Sequence, residues 1–399
     1  MVIQLDLYQT VAMAVIVFAM GSFFRKRVSF FEKYCIPAPV IGGIIFAVLT
    51  LILNLTGIMT INTDDTMQNV FMTLFFTSVG YTASLKLLKK GGLQVLIFVA
   101  AATGIVVLQD ALGVGLAAAF DMDPLMGLCV GSIPMVGGHG TAGSFGTMLE
   151  TQFGVAGAGT VSMAAATFGL IVGGLIGGPV AKRRINKHRL VCNSPMDENG
   201  VDSFSEEKIN QKPTAEQILK AFCMLFLAAG LGSVISSLIQ KTGLTFPSYI
   251  GAMLAAALLR NMSDVTKKFT IMEDIIEVLG NVSLSLFLSM ALMSLKLWEL
   301  AELAGPMVVM LLAQTVLMAL MAYFIVFRMM GSDYEAAVMS SAACGFGMGA
   351  TPNAIANMQA ISNIYGPAPR AFFIVPLVGS LFIDFINGIV LTLFINILH

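Results

Sequence analysis

The 399-residue chain is 57% hydrophobic and 11% charged, with a formal net charge of −1 and a mean hydropathy of +0.87. Soluble proteins carry about 25% charged residues, so a water-soluble domain of this length is excluded. The five cysteines, Cys35, Cys129, Cys192, Cys223 and Cys344, show no metal-ligand spacing and read as free thiols.

A helix needs about 20 apolar residues to cross a bilayer core. In chain order such runs fall at roughly 6–24, 36–56, 67–85, 93–120, 154–181, 214–240, 245–260, 275–295, 305–328 and 372–396, which predicts ten crossings. The first run follows Asp6 rather than a basic stretch, so it reads as a crossing and not as a cleavable leader. Two further apolar segments, near 125–149 and 335–360, are bounded by turn residues and interrupted by glycine. Neither predicts a straight helix.

The charges orient the crossings. With the N-terminus outside and both Gly-rich segments re-entrant, 1–181 holds five crossings, 182–213 is a cytoplasmic linker and 214–399 holds five more. Every Lys and Arg except Lys241 and Lys296 then lies on the cytoplasmic side: Arg25, Lys26, Arg27, Lys33, Lys86, Lys89, Lys90, Lys182, Arg183, Arg184, Lys187, Arg189, Lys208, Lys212, Lys220, Arg260, Lys267, Lys268, Arg328 and Arg370. If each Gly-rich segment crossed fully instead, Lys182 through Arg260 would move outside, and the bias would be lost. The basic cluster at 182–189 reads as a topology anchor, with no nucleic-acid partner implied.

The two halves repeat. Ser84-Leu85-Lys86-Leu87 recurs as Ser294-Leu295-Lys296-Leu297, 210 positions on; Asp123 and Asp333, and Thr141 and Thr351, keep the same 210 spacing. Pro39/Gly43 and Pro247/Gly251 are 208 apart. Several anchors holding one spacing predict duplication. An odd number of crossings per half inverts the second half relative to the first, the arrangement of alternating-access transporters. The predicted fold is therefore an all-α polytopic membrane protein of two inverted-topology repeats, each of five transmembrane helices with a re-entrant Gly-rich hairpin.

The Gly-rich segments carry the chemistry. Each reads as helix, glycine turn, helix, with Thr351 as the cap before Pro352 and Thr141 capping the first segment in the same way. Irregular backbone at membrane depth is tolerated only where it lines a cavity or is buried in protein. Two tips meeting near the midplane would present half-helix N-termini, whose free N–H groups suit an anion with two carboxylates. No Arg or Lys stands in the middle of a crossing, so backbone would have to bind that anion. The bland reading of the glycines is tight helix packing. Candidate substrate positions are Gly137, Gly138, His139, Gly140, Thr141, Gly347, Gly349, Ala350, Thr351, Pro352 and Asn353. Ionisable residues inside crossings are functional candidates because burying them is costly, which singles out Asp110 and Asp384. With Gln109, Ser132, Gln314, Asn357 and Asn387, the last three residues past Asp384 on one helix face, they offer oxygens to sodium. Asp384 also suits a substrate ammonium.

The stretches GGHGTAGSFG (137–146), TFGLIVGGLIGGPVA (167–181), LGNVSLSLFLSMALMSLKLWEL (279–300) and CGFGMGATPNAIANMQAI (344–361) resemble the glutamate:sodium symporter family. The resemblance spans essentially the whole chain. It implies sodium-coupled uptake of L-glutamate, sodium as the coupling ion with no other cofactor, two re-entrant loops at the glycine motifs, a bacterial inner membrane and a homodimer. Asp110 stands where an amide is expected and Pro134 where a small polar residue is expected, changes that bear on ion coupling. One rival reading is a sodium-coupled carrier of aspartate or of a malate- or citrate-like hydroxy acid. An intramembrane hydrolase using Ser144 and His139 is a second, and an ion channel a third.

Overall fold

The computed structural model describes residues 2–33, 36–86, 92–192, 213–241, 248–267, 269–295, 297 and 300–399. Of the positions singled out above, Cys35, Leu87, Lys89, Lys90, Pro247, Lys268, Lys296 and the linker residues 193–212 lie outside these. Helices dominate the described residues. The first half contains α1 (Leu7–Arg27), α2 (Ala38–Leu55), α3 (Thr66–Thr82), α4 (Gly92–Ala119), the short α5 (Pro124–Leu128) and α6 (Ser132–Met135), α7 (Gly138–Phe153) and α8 (Ala158–His188). The second contains α9 (Ala215–Gln240), α10 (Ser248–Thr266), α11 (Glu273–Met293), α12 (Leu300–Leu320), α13 (Tyr334–Gly347), α14 (Thr351–Tyr365), α15 (Pro369–Leu381) and α16 (Ile383–Leu398). Each apolar run predicted as a crossing carries a helix. Among the described residues, seven are long and apolar enough to span a bilayer by themselves, and an eighth span forms if Pro369–Gly379 and Ile383–Leu398, bent by 42°, count as one. The protein is thus a multi-pass membrane protein. Of the remaining two runs, α3 has 17 residues and α10 carries Arg260 and Asp264 near its end.

Three details depart from the sequence reading. Val2–Gln4 pairs in parallel with Thr60–Asn62, a two-stranded ribbon too short to show in an apolar pattern. Helix α8 continues through Lys182, Arg183, Arg184 and Lys187, residues assigned above to the linker. The first Gly-rich segment is three helical pieces, not two arms around one turn.

Several local devices occur once in each half of the chain. Asp6 with Gln9, and Thr214 with Gln217, form reciprocal capping boxes at the start of α1 and α9. Asp123 accepts from Leu125 N at 2.8 Å, and Asp333 from Ala336 N at 2.7 Å, opening the two Gly-rich segments. Helices α1 and α2 meet at Gly21 and Gly42, and α9 and α10 meet at Gly232 and Gly251; a Cβ at any of the four would collide with main chain of the facing helix. Small residues let membrane helices approach this closely.

Packing sorts the helices into two groups. In one, α1, α2 and α3 interleave with α9, α10 and α11: α1 packs on α2 and α9 on α10, while α2 packs on α11 and α3 on both α10 and α11. The other gathers α4 to α8 with α12 to α16, with α8 against α13 and α14, and α16 against α4, α5 and α6. Helix α12 loosens into a π-helical turn at Met321–Val326. There the Tyr323 carbonyl accepts from Arg184 Nε at 2.8 Å, and the guanidinium lies 3.7 Å from the Tyr323 ring centroid. Arg184 is therefore a packing element between α8 and α12 rather than a free anchor.

Candidate functional site

The two glycine tips come together. Gly138, at φ +57°, is so placed that a Cβ there would lie 2.9 Å from the Gly349 carbonyl oxygen. Beside this near-contact is a cavity of about 270 Å³, below the usual size for a drug-like ligand of roughly 300–1,000 Å³. Gly137, Gly138, His139 and Gly140 of the first tip line it, as do Gly349, Ala350, Thr351 and Pro352 of the second, and Asp384. Pro37, Phe75, Leu284 and Leu288 close it from the first helix group, and that wall offers no side-chain hydrogen-bonding group.

Both tips open helices that point their first N–H groups into this region. Helix α7 begins at Gly138 and α14 at Thr351. Among the described residues, the main-chain N–H groups of Gly138, His139, Gly140, Gly349 and Thr351 have no acceptor. Such orphan donors are the anion-binding feature of a helix N-terminus. Asp384 lies in the first turn of α16, at the bend after α15. No described residue donates a hydrogen bond to its carboxylate. The cavity thus combines anion-seeking backbone with one cation-seeking side chain.

The expected caps are corrected. Ala350 occupies the cap position of α14, so Thr351 and Pro352 are its first and second residues. The Thr351 hydroxyl instead donates to Gly379 O at 2.9 Å, tying the tip to α15. Gly137 occupies the cap position of α7, and Thr141 sits inside the first turn, buried. Asn353 is not among the residues lining the cavity and donates to Leu170 O at 2.6 Å. Gly347 also lies behind the tip, its carbonyl accepting from Gln109 Nε2 at 2.7 Å.

The candidate sodium residues divide into three places. Asp384 faces the cavity. Asp110, Ser132 and Asn387 form a fully buried triad: Ser132 N donates to Asp110 Oδ1 at 2.7 Å, and Ser132 Oγ lies 2.9 Å from Asp110 Oδ2 and 2.6 Å from Asn387 Oδ1. Asn387 Nδ2 donates to Ser132 O at 3.2 Å, which fixes the amide orientation. Gln109 adjoins this triad on α4, and Gln314 on α12 donates from Nε2 to Gln109 O at 2.8 Å. The Oε1 atoms of both glutamines are buried without a hydrogen-bond partner. Asn357 belongs to neither place: it donates to Gly173 O at 3.0 Å and Ser341 O at 3.1 Å, and bridges α14 to α8 and α13. Among the described residues no cluster of three or more His, Cys, Asp or Glu could hold a metal ion.

Nothing pairs Ser144 with His139. The Ser144 hydroxyl donates one turn back, to Gly140 O at 3.1 Å and Thr141 O at 3.0 Å. His139 Nε2 instead meets Thr167 Oγ1 at 3.0 Å. Sequence reasoning missed Thr167 and the apolar wall of Phe75, Leu284 and Leu288. Apolar side chains on crossings carry no mark that separates a cavity wall from a lipid-facing surface.

A membrane-embedded helix bundle with two broken segments converging on one small, mixed-polarity cavity defines a secondary transporter rather than an enzyme. The chain belongs to the sodium/glutamate symporter family, whose model matches residues 3–367. It is 40% identical over 393 residues to the sodium/glutamate symporters of Escherichia coli (strain K12) and Shigella flexneri, covering 98% of each chain. It is 39% identical over 386 residues to that of Haemophilus influenzae, covering 96% of each.

Proposed function

We propose that the protein takes up L-glutamate with sodium across a bacterial inner membrane by alternating access, as a homodimer. The observation that carries this reading is the convergence of two tips rich in unpartnered N–H groups, with one unpartnered carboxylate, on a single cavity. A small amino dicarboxylate matches it: its carboxylates go to the tips, and Asp384 supplies negative charge for a cation. The triad supports the sodium half of the reading. Three oxygens, Asp110 Oδ2, Ser132 Oγ and Asn387 Oδ1, converge around one hydroxyl proton, and the oxygens of Gln109 and Gln314 are unspent nearby. Such oxygen-rich, proton-poor surroundings suit a dehydrated hard cation.

In this reading each half makes five crossings and a re-entrant hairpin, and the halves are inverted repeats. The paired capping boxes, the Asp caps, the glycine contacts and the interleaved packing support it. The N-terminus is outside and 182–213 cytoplasmic, as the Lys and Arg distribution favours. An impermeant thiol reagent added to intact cells should not label a cysteine placed at position 200.

The deciding experiment is labelled glutamate uptake into proteoliposomes with and without an inward sodium gradient. Accumulation that ignores the gradient overturns sodium coupling. Competition by aspartate, malate and citrate separates a glutamate carrier from a carrier of another carboxylate.

A further inference from the structure

The ring of His139 is held in one particular way. Its Nε2 lies 3.0 Å from Thr167 Oγ1, and that hydroxyl in turn lies 3.1 Å from the Met163 carbonyl, one turn earlier on α8. A threonine hydroxyl has one proton to give. If the histidine proton sits on Nε2, it donates to Thr167, Thr167 donates to Met163, and both contacts are hydrogen bonds. If the proton sits on Nδ1, Thr167 has two acceptors for one proton, and one contact becomes lone pair against lone pair. The Nε2–H tautomer is therefore the one the surroundings select.

That leaves Nδ1 as the free nitrogen. No described residue bonds to it, yet it is not among the buried side-chain atoms that lack a partner. It therefore keeps accessible surface, and the little surface His139 has, 6% of the residue, belongs to the cavity it lines. Asp384 lines the same cavity, but no carboxylate among the described residues forms an ion pair with the ring, so a buried imidazolium would have no directly paired counter-charge, a costly state. The neutral ring presents an acceptor to whatever enters.

We propose that His139 Nδ1 accepts a hydrogen bond from the ammonium group of the substrate, and that Thr167 is the positioning residue that fixes the tautomer. The proposal rests on the reading of the cavity as an amino-acid site and adds, beside the Asp384 carboxylate, a neutral acceptor that favours an amino dicarboxylate over a plain one. Tip N–H groups recognise carboxylates and cannot distinguish glutamate from glutarate, which lacks only the ammonium. An acceptor beside them can.

The test is inhibition of labelled glutamate uptake in proteoliposomes by unlabelled glutamate and by glutarate, compared as a ratio. Wild-type uptake is measured first; its absence would reject the amino-acid site itself, separately from the role of His139. His139→Phe keeps a ring but no nitrogen, and the preference for glutamate over glutarate should fall about tenfold or more, with glutarate inhibition little changed. Thr167→Val frees the tautomer and should lower the same ratio, while Thr167→Ser, which keeps the hydroxyl, should restore it. If His139→Phe fails to fold, the Thr167→Val and Thr167→Ser pair carries the test. An unchanged ratio in His139→Phe, or an equal loss of both ligands in Thr167→Val, overturns the proposal.

Discussion

Substituting Gly138 by alanine probes the near-contact of the tips with one methyl group. Gly138 is at φ +57°, and the left-handed conformation costs a residue with a Cβ about 1–2 kcal/mol. The new Cβ would also lie 2.9 Å from the Gly349 carbonyl oxygen of the other tip, closer than an ordinary carbon–oxygen contact. In the free protein the tip can relieve both costs by drawing away from Gly349 and turning residue 138 out of the left-handed region. Binding requires both in place, so the cost falls on the ligand-bound state. A total of about 2 kcal/mol corresponds to a roughly 30-fold weaker affinity. Calorimetry of glutamate binding at saturating sodium should show that loss, with only a small drop in thermal stability. Gly115→Ala is the matched control, because a Cβ there meets nothing within 4 Å. A wild-type affinity in Gly138→Ala would refute the argument that the two tips act as one site.

Other perturbations separate binding from folding. Asp384→Asn removes a carboxylate to which no described residue donates a hydrogen bond, so uptake should be abolished while the melting temperature holds or rises; a large fall in melting temperature would contradict this. Ser132→Ala strips the hydroxyl from between Asp110 and Asn387, and should cost about 1–3 kcal/mol in thermal unfolding; an unchanged melting temperature would show the triad to be solvated. Arg184→Leu leaves the Tyr323 carbonyl of the π-helical turn without its donor, with a similar expected loss of about 1–3 kcal/mol, read in the same assay.

Much of this architecture is legible in the sequence, because a bilayer demands long apolar runs and leaves few ways to satisfy the backbone between them. The glycine tips stand out because Gly137, Gly138, Gly140, Gly349 and Pro352 would weaken any straight helix. Asp110 and Asp384 stand out because few carboxylates occur within apolar runs. What the sequence does not resolve is direction. Thr141 and Thr351 have the right chemistry for caps, but a cap is set by the dihedral angles of one residue, and a glycine-rich stretch allows several. Asp384 and Asn387 are three residues apart in α16, yet Asp384, in its first turn beside the bend, lines the cavity while Asn387, further along, reaches Ser132. Thr167 does not stand out because its importance lies in a proton count among the His139 ring on α7 and the Thr167 hydroxyl and Met163 carbonyl on α8.

The wall formed by Pro37, Phe75, Leu284 and Leu288 has a mechanical consequence. All the side-chain and tip N–H groups able to hold a polar ligand lie on one helix group, and the facing wall holds none by hydrogen bonding. A displacement of one group along the other would break no directional bond at that face and would meet only dispersion contacts, each worth about 0.1–0.2 kcal/mol per atom pair and re-formed with the next carbon along. The face is lubricated in the literal sense: its energy profile along the direction of travel is shallow, and a ligand held by the tips can be carried past it without being handed over.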